Sequence, residues 1–84
     1  MEHLKGPLER LDKELAKAEP EGKAGEHAEN LKADVKSTLA QPGQPGLKGL
    51  KQRLQDAVVH FEEKHPNLTA AAEEVIDALA RMGI

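Results

Sequence analysis

The chain has 84 residues, 38% of them hydrophobic, with no cysteine and with Phe61 as its one Phe, Tyr or Trp. That length holds one domain at most, and without cysteine there is neither a disulfide framework nor a thiolate metal site. Twelve basic and fifteen acidic side chains, interspersed along the chain, give a net charge of −3; the basic stripe of a nucleic-acid binder is missing, so no nucleic-acid partner is expected.

Leu8, Leu11, Leu15 and Ala18 recur at spacings of three and four, which places them on one narrow stripe of a helix. Gly6-Pro7 marks its start, because proline is tolerated at the first helical position, so the first helix is expected over residues 7–18. Leu4 would extend the stripe if the helix began earlier. Glu19-Pro20-Glu21-Gly22 breaks it. A second helix is expected over residues 24–40, with Ala24, Ala28, Leu31, Val35 and Leu39 as its stripe and Thr38 beside it. It is the weakest of the four, because two of those five positions are alanine.

Gln41-Pro42-Gly43-Gln44-Pro45-Gly46 reads as a loop, residues 41–46, in which Pro-Gly pairs favour type II turns. The third helix is expected over 47–64, with Leu47, Leu50, Leu54, Ala57, Val58 and Phe61 on its buried side. Pro66 stops it, since the residue before a proline is pushed away from helical angles. Asn67 or Thr69 can cap a fourth helix over 67–82, whose stripe is Leu68, Ala72, Val75, Leu79 and Met82, widened by Ile76. Asp77 and Arg81 form an i, i+4 pair, and Gly83 suits a left-handed cap onto which Ile84 folds back. No strand pattern competes. The expected fold is all-α, two antiparallel helical hairpins forming a small four-helix bundle with coiled-coil-like packing.

No apolar run approaches a bilayer span. The opening residues lack the charged start, apolar middle and cleavage site of a signal peptide, so the cytoplasm is the expected compartment.

Candidate chemistry is sparse. Glu62-x-x-His65 is half of the Glu-x-x-His pattern of four-helix di-metal carboxylate sites, which need a second such pair and two further inward glutamates. The chain has no second pair. A histidine just before a helix-ending proline more often meets free carbonyls at the helix end. No metal or cofactor is expected, with Glu62, His65 and His60 as the one alternative set. His27, beside the stripe position Ala28, reads as a partly buried structural residue. Ser37, Thr38 and Thr69 sit in no nucleophile context, and Gly43, Gly46 and Gly49 follow no strand and lack the Lys-Ser/Thr of a P-loop. The expectation is a non-enzyme.

The C-terminal third carries a resemblance. Phe61-Glu-x-x-His65-Pro66-x-Leu68, followed by Val75-Ile76-x-x-Leu79-x-x-Met82-Gly83-Ile84, resembles the small bacterial proteins grouped as domain-of-unknown-function family 4404, over roughly the last thirty residues. Its members are similar in length, with a Leu-rich helical first half, a His-Pro-x-Leu turn and a terminal Met-Gly-Ile. The resemblance implies a cytosolic bacterial protein and brings no activity or catalytic residue.

Eleven Leu, four Val, two Ile, two Met and one Phe make up the large apolar set. Burying each yields roughly 1.5–3 kcal/mol, while ordering each residue costs about 1.5 kcal/mol. A core this thin points to self-association as a homodimer. The functional expectation is a homo-oligomeric helical interaction module that binds an unidentified protein, with Phe61, Leu68, Leu79 and Met82 as anchors. The same four are what an ordinary bundle core would use. The alternative is a metal- or small-ligand-binding bundle using Glu62 and His65.

Overall fold

Four apolar stripes, each covering only one side of its helix, meet in one interior. The computed structural model describes residues 2–41, 44–62 and 64–84. In order these form α1 (Glu2–Ala18), α2 (Gly22–Ala40), α3 (Gln44–Phe61) and α4 (Pro66–Arg81), with no strand among the described residues. The fold is an all-α bundle. Short connections make consecutive helices antiparallel neighbours, and α1 also packs on α4, which closes the ring; among the described residues the backbones of the diagonal pairs α1–α3 and α2–α4 do not approach each other closely. The radius of gyration, 11.4 Å, matches the roughly 12 Å of a compact chain of this length, so the two hairpins are folded together and not splayed.

The core alternates large and small residues. From α1 come Leu4, Leu8, Leu11 and Leu15, and from α3 Leu47, Leu50, Leu54, Ala57 and Phe61. Facing them, α2 supplies Ala28, Leu31 and Val35, and α4 supplies Leu68, Ala71, Ala72, Val75 and Leu79. The alanines of α2 and α4 leave room for leucines and Phe61, the way interiors reach crystal-like density. Val59 is the one large hydrophobic among the described residues that stays exposed, at 69%. A single chain therefore encloses its own core.

Several boundaries differ from the sequence reading. α1 begins at Glu2, with Pro7 inside it. Proline at that position removes one i→i−4 bond, and the burial of Leu4 on the same stripe offsets the loss. α3 begins at Gln44, so Gln44, Pro45 and Gly46 belong to the helix and not to a loop over 41–46; Pro45 falls in the first turn, where its missing donor has no intrahelical partner. Of the expected loop, Pro42 and Gly43 lie outside the described residues, as does Glu63 near the expected end of the third helix. That helix ends at Phe61, not residue 64. In α4, Pro66 is the first helical residue and His65 the cap position; neither Asn67 nor Thr69 caps it. Thr69 instead donates its hydroxyl to the His65 carbonyl at 3.0 Å, because one turn into the helix its side chain reaches backward. In α2, Thr38 is buried while Leu39 is half-buried, since the step from Val35 that keeps the stripe on the core is three residues here, not four.

The end of α4 follows expectation. Gly83 has φ +84°, and its N–H donates to the Ala80 carbonyl at 3.0 Å while that of Ile84 donates to Leu79 at 3.1 Å. This is the paired bonding of a Schellman cap. Ile84 packs against the core, and Lys51 of α3 donates to its carbonyl oxygen at 2.6 Å. Ion pairs join neighbours around the ring, Arg10 with Glu74 between α1 and α4 and Arg53 with Asp34 between α3 and α2 at 3.1 Å. The expected Asp77–Arg81 pair is formed at 3.0 Å.

The connection from α1 to α2 is tight. Its one strained residue is Glu19, at φ +42°. Gly25 lies under this turn, where an added Cβ would sit 2.6 Å from the Pro20 carbonyl oxygen.

Two stability measurements check this packing. Leu54→Ala should lose about 2–5 kcal/mol in urea unfolding, the range for leucine truncation in a closed core; a loss under about 1 kcal/mol would mean the site is not enclosed. Alanine normally gains up to about 1 kcal/mol over glycine inside a helix, yet Gly25→Ala should lower the melting temperature, because the methyl group meets backbone oxygen.

Candidate functional site

The alternating topology carries both hairpin turns to one end of the bundle. There, the segment after α1 (Glu19, Pro20, Glu21) approaches the segment after α3 (Glu62, Lys64, His65). Between them lies a half-open cleft of about 640 Å³, walled by Glu19, Glu21, Ala24, Val59, His60, Glu62, Lys64 and His65. Its lining mixes three carboxylates, one ammonium group and two imidazoles with the apolar surface of Val59 and Ala24.

The backbone fixes one wall firmly. The His65 N–H donates to the Phe61 carbonyl at 2.9 Å, and its own carbonyl accepts the Thr69 N–H at 2.9 Å as well as the Thr69 hydroxyl. It is thus the backbone N–H of His65 that meets a carbonyl at the end of α3. On the other wall, Glu19 is a non-glycine residue in the left-handed region, a conformation that costs of order 1–2 kcal/mol and often marks a working segment.

His60 belongs to two surroundings. One side of its position lines the cleft; on the other, its ring stacks on that of His27 from α2, with centroids 4.7 Å apart and planes 20° from parallel. His27 in turn lines a small hollow with Asn30, Leu31, Arg53 and Asp56. Each histidine immediately precedes a core residue, Ala28 in one case and Phe61 in the other, so each is carried to the margin of its helix where α2 and α3 meet. That shared register is the signal the sequence offered for the pairing.

The expected site residues separate into two groups. Glu62, His65 and His60, the alternative metal set, all line the cleft, but among the described residues no three His, Asp or Glu groups stand close enough to hold a metal ion. Phe61, Leu68 and Leu79, expected as interaction anchors, are buried in the core, and Met82 is half-buried against it. Glu19 and Glu21, which the sequence presented only as a helix break, supply two of the cleft's carboxylates. A second, shallower groove of about 620 Å³ runs between α3 and α4, with Val58 and Ile76 as its apolar members and Glu73, Glu74 and Asp77 among its acidic ones. No described helix is long and apolar enough to cross a membrane.

The family model described as Domain of unknown function (DUF4404) matches residues 4–84. No curated protein and no solved structure matches the chain. The chain belongs to the DUF4404 family.

Proposed function

We propose that the chain is a non-enzymatic helical interaction module of the bacterial cytoplasm, self-associating as a homodimer and binding another protein. The observation that carries the proposal is what the core leaves outside. Val59, 69% exposed, stands on the wall of the cleft between the two turns, with Ala24 and a rim that holds Glu19, Glu21 and Glu62. An apolar wall set among carboxylates suits a segment with an apolar side chain flanked by basic ones, since rim charges steer and orient a partner while the apolar contact holds it. Because Phe61, Leu68 and Leu79 are committed to the core, the contact role passes from them to Val59. Self-association likewise shifts from completing a thin core to covering a surface. The α3–α4 groove, with half-buried Val58 and Ile76, is the face assigned to it, leaving the coiled-coil-like packing within each chain.

A second reading rests on the convergence of His60, Glu62 and His65 on one cleft, which suits a bundle that binds a metal or small ligand. It is distinguished by adding zinc or iron to metal-free protein. A rise in melting temperature lost in both Glu62→Gln and His65→Gln would favour it over the module.

Site-specific photocrosslinking in intact native cells tests the main reading. A photoreactive residue at Val59 should capture a discrete second protein, and one at Ile76 should capture another copy of the chain. If neither position gives adducts beyond those from exposed Gln52, the module reading falls.

A further inference from the structure

We propose that His27 and His60 form a two-histidine site for a late first-row divalent metal ion, zinc or nickel by preference, which clips α2 to α3. The inference is independent of the interaction role. Its ground is geometric. Two imidazoles from different helices stack with centroids 4.7 Å apart, with no intervening side chain. Imidazole nitrogen is a strong ligand for this class of ion, at about 2.0–2.1 Å for zinc. Two nitrogens bound to one tetrahedral ion lie roughly 3.3 Å apart, so binding requires the two rings to turn out of the observed stack until their in-plane lone pairs converge on the ion.

The surroundings favour a cation. Asp56 lies one turn before His60 on α3 and lines the same hollow as His27, where it can hold a ring N–H or a metal-bound water, the usual partner of a ligating histidine. Glu19, Glu21 and Glu62 face His60 from the cleft, against Lys64 and the second imidazole of His65. Arg53 also lines the hollow, with its guanidinium paired to Asp34 of α2 at 3.1 Å. With no three His, Asp or Glu groups gathered among the described residues, water completes the coordination sphere.

The place on the fold gives the site a consequence. α2 is the helix with the fewest large core residues, only Leu31 and Val35 beside Ala28, and His27 lies in its N-terminal half. A metal bridge to α3 would tie down the helix that brings the fewest large apolar residues to the core.

The test is thermal melting of chelator-treated full-length protein with zinc or nickel, together with calorimetric stoichiometry. At ten times its Kd, either ion should raise the melting temperature by roughly 5–10 °C, at one ion per chain, while magnesium and calcium, which prefer oxygen ligands, should not. His27→Gln and His60→Gln should each abolish the shift, and the double variant should lose no more than either alone. His65→Gln and Glu62→Gln should keep it, which separates this site from the cleft. Both histidines lie at the margin of the core, so the metal-free melting temperatures of the variants verify that they fold. The proposal is overturned if neither ion shifts the wild type, if the shift survives in His27→Gln, or if it disappears in His65→Gln or Glu62→Gln.

Discussion

The structure depends on fitting four narrow apolar stripes together without leaving space. Leucines on α1 and α3 are large, and the opposing faces of α2 and α4 are built partly of Ala28, Ala71 and Ala72. A bundle of only large residues would force its helices apart, and one of only small residues would bury too little to balance the entropy of ordering the chain. Pairing large with small lets one short chain close a core around its single phenylalanine, and it makes a partner subunit unnecessary for burial.

That closure decides where function can lie. Once Phe61, Leu68 and Leu79 are inside, recognition falls to what the helix ends and margins expose. Alternating topology puts two turns at one end, and the turns carry the polar groups that helices exclude from their stripes. Glu19, Glu21, Glu62, Lys64 and His65 meet there for that reason. The same logic places His27 against His60: a residue adjacent to a stripe position sits at the helix margin, and where two margins meet, their side chains touch.

The stripes were legible from spacing alone, because three-four periodicity of Leu, Val and Ala has one helical meaning and burial enforces it. Local punctuation was less dependable. Gly6-Pro7 looked like a start, yet α1 runs through it because Leu4 continues the stripe into the core. The Pro-Gly composition of 41–46 read as loop, while the helix reaches back to Gln44, since proline is harmless in a first turn. The exchange of Leu39 for Thr38 on the buried side of α2 shows how a one-residue choice between three and four is set by the neighbouring helices and not by the helix itself. The cleft was visible only in fragments. Glu62, His65 and His60 form one candidate set in the sequence, but Glu19 and Glu21 read there only as a helix break, because nothing in a linear sequence says that two turns share an end. The anchors named from size were the core, since size and apolarity are the same signal for both roles.

The central claim is that one chain encloses its own core, whatever it then associates with. An isotope-filtered NOE measurement on an equal mixture of labelled and unlabelled chains addresses it directly. Methyl cross-peaks between the α1 leucines and Val75 or Leu79 of α4 are expected within labelled chains and not in the interchain-filtered spectrum, even if the protein dimerises through its surface. Interchain cross-peaks among those core methyls would contradict the account, showing that helices are exchanged between chains and that the bundle is shared.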